Sequence, residues 1–497
     1  MHVLTRIGFC VMLVAGGAAA GEIGPAGALA LAAQLRAWFG EMLGPNAPAL
    51  PVRAEVEGNH YRVSIPLLGI STPAAEPEVN AAARELPDGR WGIDDVHFPG
   101  KFAFATVPVP PYTSPGTATV VIGDQHAQAT IDPDLKLPSS FGFNGADIVI
   151  STTGSRQTQE QRIDRYAASG NVTPAAGGLL DVSTTTEVDG WRTGALGPGG
   201  LAAGSGLRSA TATAHIDGLN PSQLGPAIAA LVNLSAAMPH PRRGQGGTEK
   251  SVGLPDLPPQ GLAALHQLVA ALPGIATSLR IDETLKGVQF EIAGVGGAAI
   301  DRVRLGFGGE APAGLIRAWF DIGLQGLSIR GLPDAQTALV PRMVSFRPSV
   351  SGVPVAALNR LLAALTEPGH PAVALLEPEI AALFAQGSLT VGIEALVVAI
   401  GPAEFTGAGS LLLLSPTERE AQARIAATGF DALVEQVRAD PRLTRALPLL
   451  ILARGLAKAD GDRLVWTIAI DRSGKTTVNG VGLPGFSSQS RQEEKPP

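Results

Sequence analysis

The chain has 497 residues, a formal net charge of −7 and only 16% charged residues. This length allows roughly two to four domains, and the charged fraction is well below the roughly 25% of ordinary globular proteins. The negative charge argues against a nucleic-acid partner, because binding to phosphates requires a basic face.

Residues 1–20 have the pattern of a secretory signal peptide. A single arginine precedes an apolar run from Ile7 to Val14, and Ala18-Ala19-Ala20 supplies small residues for cleavage. The run is too short to span a bilayer. The only cysteine, Cys10, would leave with this segment, so we expect a mature protein without disulfides or thiolate sites. These features predict a periplasmic protein with no transmembrane span after removal of the signal.

Residues 21–236 are predicted to form an N-terminal α+β region. It begins with a helix that contains Trp38. A hairpin follows from Val52 to Ile65, turning at Gly58-Asn59, and the turn Pro87-Asp88-Gly89 leads into a strand from Trp91 to His97. Apolar and polar residues alternate in these strands, as expected for half-buried β-structure.

Three stretches lack such a pattern. Residues 192–206 are rich in glycine and are predicted to form a loop. Residues 237–262 mix proline, glycine and charge, and are the best candidate for a linker or loop. The polar tail at 486–497 is predicted to be disordered.

Residues 263–485 are predicted to form a C-terminal α+β region. Alternating strands continue through Val288, Phe290 and Ile292, then through Val303, Leu305 and Phe307, and finally from Leu464 to Ile470.

A pattern of strand, glycine and amphipathic helix occurs three times. The glycines that end the strands are Gly218, Gly352 and Gly429. Apolar positions at helical spacing follow each one: Leu224, Ile228, Leu231 and Val232; then Val355, Leu358, Leu362 and Leu365; then Phe430, Leu433, Val434 and Val437. We interpret the fold as α+β, a long curved and mainly antiparallel β-sheet with repeated strand-then-helix units packed on one face. Chance matches in any α+β protein are the alternative.

Three glycine-containing segments resemble nucleotide-binding motifs. Gly474-Lys475-Thr476 matches the last three residues of a phosphate-loop motif. The motif also requires a glycine five residues before Gly474, but that position is Ala469, inside an alternating strand. The segments 480–485 and 294–299 carry glycines at dinucleotide spacing, but neither leads into a helix. Hairpin turns are therefore expected at 471–474 and 294–299, whereas 480–485 enters a proline-containing tail, and no nucleotide is expected to bind.

Catalytic and metal motifs are absent from the sequence. No serine has a glycine both two residues before it and two residues after it, as a nucleophile elbow requires. No pair of histidines has the helical spacing of metal ligands. Asp95 and His97 are expected to share one strand face, more simply as solvated residues than as metal ligands. Asp321 is expected to form an outward ion pair with Arg317. We assign no catalytic, cofactor-binding or metal residues and no cofactor, and the ligand-binding residues stay unknown.

The closing region contains an ordered series of segments: "AEFTGAGSLLLL", "ARIAATGFDALVEQV", "LPLLILARGLAK" and "LVWTIAIDRSGKTTVNGVGLP". Over residues 387–485 this series resembles a family of exported proteins, common in alphaproteobacteria, that is described only as a domain of unknown function. The ending with Val478-Asn479-Gly480 is also similar to the close of the YdgA-like periplasmic proteins, which are distantly linked to the AsmA-like envelope proteins. The resemblance implies an envelope protein with a curved sheet and an apolar face, a feature associated with lipids in AsmA-like proteins. The resemblance rests on structural residues and therefore implies no catalytic residue in this chain.

The expected export signal, the low charge, the alternating strands and the family resemblance together favour a non-catalytic envelope protein that binds or moves lipid or another apolar molecule along a sheet groove. Two explanations of the apolar composition stay open, an apolar groove and a GC-rich genome. Two other functions are also open. One is a scaffold that binds an envelope protein through strand edges or loops, and the other is a hydrolase whose site is assembled only by folding.

Overall fold

We describe the fold from a computed structural model of the chain. It describes residues 23–43, 51–66, 78–106, 116–132, 135, 138–153, 158–196, 202–237, 258–271, 274–366, 377–384, 389–415 and 418–482. The expected signal peptide, the tail and residues 238–257 of the expected linker lie outside these residues. The chain divides into two compact units, Met1–Gly296 with Leu362–His370, and Gly297–Leu361 with Pro371–Pro497.

The described part of unit 1 contains antiparallel strands and three complete helices. The strands are β1 Arg53–Glu57, β2 His60–Pro66, β3 Glu78–Glu85, β4 Trp91–His97, β5 Lys101–Thr106, β6 Gly116–Val121, β7 Gln125–Ile131, β8 Pro138–Thr153, β9 Thr158–Pro174, β10 Leu180–Leu196, β11 Ala202–Leu219 and β12 Ser278–Ile292. The helices are α1 Pro25–Leu43, α2 Pro221–Ala237 and α3 Pro259–Ala271.

The strands of unit 1 pair in the order β1-β2-β3-β4-β7-β8-β9-β10-β11-β12. β8 is long enough to pair with β7 through its first half and with β6 through its second half, and β5 pairs with β6. The hairpin at Gly58-Asn59 and the strand from Trp91 to His97 are thus confirmed.

The main core of unit 1 lies under α1 and strands β1 to β9. Leu31 and Leu35 of α1 are 1% exposed and pack with residues such as Val63, Ile93 and Phe143. Aromatic rings join across strands, with the centroids of Phe98 and Phe143 5.8 Å apart and those of Phe143 and Tyr166 5.9 Å apart.

Unit 2 continues with antiparallel strands and short helices. The strands are β13 Gly296–Glu310, β14 Leu315–Gln325, β15 Ser328–Arg330, β16 Pro341–Pro354, β17 Leu389–Ile400, β18 Ala403–Leu413, β19 Arg419–Thr428, β20 Lys458–Asp460, β21 Arg463–Ile470, β22 Thr476–Val478 and β23 Val481–Gly482. The helices are α4 Asp334–Thr337, α5 Val355–Thr366, α6 Glu377–Ala382, α7 Phe430–Ala439 and α8 Leu447–Leu456, and α5 from Leu362 onward belongs to unit 1. The strands pair in the order β13-β14-β16-β17-β18-β19-β21-β22-β23.

The glycine-rich loop predicted at 192–206 is wrong in extent. β10 runs to Leu196 and β11 begins at Ala202, so most of this stretch is paired β-ladder, with Gly194 directly opposite Gly204. Glycine weakens a strand by its backbone entropy. Here that cost is offset because both residues continue two long strands whose partners are already aligned.

Three strands run directly into helices at the predicted glycines. β11 leads to α2, β16 leads to α5 and β19 leads to α7. The glycines have positive φ angles, 61° at Gly218, 83° at Gly352 and 66° at Gly429. A β-carbon at Gly429 would lie 2.2 Å from the carbonyl oxygen of Pro402, so the turn also needs glycine for lack of space.

The helix faces agree with prediction in one case and differ in another. All four residues predicted on α7, from Phe430 to Val437, are buried. In α2, Leu231 is 56% exposed, whereas Ala227 and Ala230 are buried. α2 packs against α3, and small alanines allow the two helices to approach closely.

Candidate functional site

One side of the unit 2 sheet is a continuous apolar surface. Phe307 lies opposite Phe320, Ile322 lies opposite Phe346, and Phe346 lies opposite Leu396 in the neighbouring strand. Because side chains alternate between the two faces of a strand, this register places the apolar residues of five strands on one side. We call these residues the apolar face: Val303, Leu305, Phe307, Phe320, Ile322, Leu324, Val344, Phe346, Val350, Val391, Ile393, Leu396, Val398, Leu411 and Leu413.

Much of the apolar face stays accessible to solvent. Phe307 and Phe320 are 44% and 39% exposed, and Val391 and Ile393 are exposed to a similar degree. The other residues of the apolar face are half-buried. Adjacent large apolar groups that are not fully covered form the kind of patch that marks a binding surface.

The same side of the sheet is covered at its far end, on β18, β19 and β21. Here α7 and α8 pack over it, with Phe430 centred 5.5 Å from Trp466 and 6.0 Å from Phe405. The indole nitrogen of Trp466 donates a hydrogen bond of 2.7 Å to the carbonyl oxygen of Ala453 in α8. Ala427, beneath the helices, is 1% exposed. The apolar face therefore continues into a sealed core.

Asn479 ties α8 to the sheet. Its side-chain nitrogen donates to the carbonyl oxygens of Leu456 and Val465, both at 2.8 Å, and its side-chain oxygen accepts from the backbone N–H of Thr467 at 2.9 Å. Its φ angle is 51°, in the left-handed region that asparagine tolerates better than most residues. This gives a physical role to the Val478-Asn479-Gly480 sequence.

The opposite side of the unit 2 sheet is polar. The Arg317 and Arg347 guanidinium groups lie 5.9 and 5.6 Å from the ring centroid of Trp319, and both pair with Glu394, at 3.2 and 3.1 Å. The predicted ion pair of Arg317 with Asp321 is wrong, because Arg317 pairs with Glu394 and, at 3.6 Å, with Glu310. Cross-strand register, which sequence spacing does not display, brings Glu394 into reach.

Unit 1 has a smaller apolar surface on its long strands. Ile281 lies opposite Ala214 and Phe290 lies opposite Ser205, and both large residues are exposed. The other end of these strands is covered, since Leu180 and Leu219 are buried with Leu224 of α2 packed against them. As in unit 2, one apolar side is covered at one end only.

A polar cleft of about 620 Å³ lies on the other side of the unit 1 sheet. Its walls are mostly hydroxyl, amide and small side chains, with an ion pair of 3.0 Å between Arg84 and Asp94 at one edge. No histidine or lysine is among the described residues that line it. The lining thus offers no imidazole or amine base beside its serine hydroxyls.

Asp95 and His97 lie close together, but the strand between them is bulged. His97 is opposite Asn80 while Asp94 is opposite Ala82, and Asp95 has a φ angle of 55°. The His97 Nε2 atom is 3.2 Å from Asp95 Oδ1, and both side chains are exposed. Within the described ranges, no group of three histidine or acidic side chains could hold a metal ion.

The segment that resembles a phosphate loop is a hairpin turn between β21 and β22. The Asp471 carboxylate accepts hydrogen bonds from the backbone N–H groups of Ser473 and Lys475, at 2.9 and 3.1 Å, and from the Ser473 hydroxyl. The Ser473 hydrogen bond is the main cause that lowers the pKa of Asp471. Asp471 satisfies these donors itself, and a strand follows. The glycine segment at 294–299 is also a turn followed by a strand, as predicted, and residues 483–485 of the segment at 480–485 lie outside the described residues.

Comparison with known proteins found no family model, curated sequence or solved structure that matches this chain. Among the helices in the described part of the chain, none combines the length and the apolar character needed to cross a bilayer.

Two features of these surfaces are not visible in the sequence. The strand alternation indicated apolar faces, but it did not distinguish covered from accessible stretches. The clustering of two arginines around Trp319 was also missed, because Arg317 and Arg347 come from different strands. The sequence does contain a local signal of an exposed apolar helix surface. Residues 447–456 form an unusually apolar helix with one arginine just before it and another in its last turn.

Proposed function

We propose that this protein is an exported envelope protein whose apolar sheet faces bind lipid chains or another elongated apolar molecule. The observation that carries the proposal is the apolar face of unit 2, where large apolar side chains in register across five strands stay partly exposed. Burying such surface stabilises a complex by about 25 cal/mol for each Å² removed from water.

The proposal also includes a curved sheet and repeated strand-then-helix units. In it, each helix after a glycine covers one end of an apolar strand surface and leaves the rest for a ligand. The export signal, the low charge and the resemblance to YdgA-like and AsmA-like proteins support an envelope location. The ligand would contact alkyl and aromatic groups along its length, with few polar contacts.

A scaffold that binds partners by strand addition is a weaker alternative. β1 pairs with β2, and the described residues provide it with no second partner strand. Its sequence is "RAEVE", and Arg53, Glu55 and Glu57 are exposed along it. Charges of this kind protect a strand edge against pairing with another chain.

Site-specific photo-crosslinking tests the apolar face directly. A photoreactive phenylalanine analogue would be placed at Phe320 in one variant and at the adjacent Asp321 in another. Phe320 belongs to the apolar face, and Asp321 points to the opposite side because neighbouring residues alternate. We expect crosslinks to lipid in envelope preparations at position 320 and few or none at position 321, with mass spectrometry identifying the adduct.

Native mass spectrometry of the purified protein, followed by solvent extraction, provides an independent test. A lipid-binding protein should retain a co-purified apolar molecule that extraction releases. Recovery of ligand-free protein, together with equal crosslinking at positions 320 and 321, would reject the proposal. Crosslinks from position 320 to one dominant protein would instead favour the scaffold.

A further inference from the structure

Helix α8 presents large apolar side chains to solvent on its outer side. Leu449, Ile451 and Leu452 are 71%, 56% and 58% exposed. The inner side of the same helix, with Leu447 and Leu450, packs against the cores below α7 and α8. The exposed leucines are thus not required for the packing of unit 2. A helix that is apolar on both sides needs a second apolar environment.

Leu449, Ile451 and Leu452 lie in the most cationic part of the C-terminal region. Between residues 436 and 458 there are five cationic side chains, and Asp440 is the only acidic one. The five are Arg438, Arg442, Arg445, Arg454 and Lys458. The chain as a whole has a net charge of −7, so this concentration of positive charge is local.

Two of these arginines have acidic partners, so the positive charge that remains near α8 lies mainly on the other cationic side chains. Arg454 pairs with Asp431 at 2.7 Å, and Arg438 pairs with Glu435 at 2.6 Å, both on α7. Asp440 accepts the backbone N–H of Arg442 at 2.9 Å and so belongs to the turn itself. Arg442 and Arg445 are exposed, just before α8.

We propose that α8 docks this protein onto the surface of an anionic lipid bilayer. Leu449, Ile451 and Leu452 insert among the lipid headgroups and upper acyl chains, and Arg442 and Arg445 contact lipid phosphates. Ten residues of helix extend about 15 Å, too short to span a bilayer, so the helix lies parallel to the surface. Exposed apolar groups beside cationic ones are the combination that binds such interfaces.

This surface is distinct from the apolar face. The leucines point away from the sheet, and the membrane is a docking partner here rather than a carried ligand. The two proposals can fail separately, since crosslinking at position 320 does not depend on α8 touching a bilayer.

Vesicle flotation of the full-length purified protein tests the proposal. Vesicles of phosphatidylglycerol and phosphatidylethanolamine would be compared with vesicles of phosphatidylcholine. We expect flotation with the anionic vesicles and weakening at high salt, because exposed charges are screened. The double variant Leu449→Gln/Leu452→Gln should lose flotation. The double variant Arg442→Gln/Arg445→Gln should lower partitioning by about tenfold or more, since each arginine near an anionic surface contributes about 1 kcal/mol.

Leu29 provides the matched control. It lies in α1, is also 71% exposed, and the segment from Ile23 to Gln34 around it contains no charged residue. Leu29→Gln should float like the unchanged protein. Circular dichroism of each variant checks that the fold is kept, as expected for substitutions at exposed positions.

Several results would overturn the proposal. They are no flotation of the unchanged protein, equal flotation with neutral vesicles, and equal flotation of the Leu449→Gln/Leu452→Gln variant. A concentration-dependent dimer that this double variant abolishes, without vesicle binding, would assign the surface to a second copy of the chain instead.

Discussion

The N-terminal part of unit 1 and the sheet of unit 2 have the same alternation of apolar and polar residues along their strands. They differ in how far the apolar side chains are buried. In unit 1, α1 and strands β1 to β9 enclose the apolar side chains, so that residues such as Phe143 and Leu31 are 1% exposed. In unit 2, α7 and α8 cover one end of the sheet, and Phe307 and Phe320 stay 44% and 39% exposed. A strand pattern therefore determines which side is apolar, but the elements that pack on it determine whether that side is a core or a surface.

The largest expected effect tests this contrast with phenylalanine in both places. Phe143→Ala should lower the free energy of unfolding by about 3–5 kcal/mol, because it removes a fully buried ring that touches Phe98 and Tyr166. Phe320→Ala should cost less than about 1 kcal/mol, since its ring is already partly in water. Denaturant unfolding followed by circular dichroism would measure both, and equal losses would contradict the comparison.

A second prediction concerns the polar tie that holds the covered end of unit 2. Asn479→Ala should cost about 2–3 kcal/mol, because it removes three hydrogen bonds and places alanine at a positive φ angle. Asn59, in the exposed turn between β1 and β2, is the control, and its replacement by alanine should change stability by less than about 0.5 kcal/mol. Thermal unfolding of the two variants separates them, and an unchanged midpoint for Asn479→Ala would show that packing alone holds α8.

A third prediction concerns the polar side of unit 2. A β-carbon at Gly308 would lie 2.1 Å from Trp319, whereas one at Gly309 would have its nearest neighbour at 3.9 Å. Gly308→Ala should therefore displace the indole from its contacts with the two arginines and cost about 1–3 kcal/mol. Gly309→Ala should be close to neutral. Tryptophan fluorescence and denaturant unfolding would report the difference, and identical spectra for the two variants would argue against this packing.

The smallest expected effect concerns pH and the closed core of unit 1. Burial of Tyr166 raises the pKa of its phenol above the ordinary value of 10.0, and a hydrogen bond with Thr186 only partly opposes this. The folded state thus favours the protonated form. The stability due to Tyr166 is complete below the unfolded pKa near 10 and is lost as pH rises through the higher folded pKa.

Ultraviolet titration of tyrosinate would measure this shift. The unchanged protein should show a tyrosine component that ionises later than an ordinary phenol, and Tyr166→Phe should remove that component. A late component that persists in the variant would assign the shift to another tyrosine and would weaken the picture of a closed core.

Much of the local structure could be predicted from the sequence alone. Alternation predicted the strands around Val52–Ile65, Trp91–His97 and Leu464–Ile470, and helical spacing predicted the buried residues of α7. The glycine breaks were also predictable, because only glycine readily takes the left-handed backbone found at Gly218, Gly352 and Gly429. The phosphate-loop interpretation could also be rejected from the sequence, because the position that needs a glycine is Ala469, which lies within a strand.

The tertiary structure alone decided which apolar surfaces are covered. The pairing of Arg317 with Glu394, 77 residues apart, depends on contacts between distant segments. The same holds for the exposure of Leu449 beside the partly buried side of its own helix. Local patterns specify the direction in which a side chain points, whereas burial depends on what the rest of the chain brings to that side, and no short stretch of sequence contains that information.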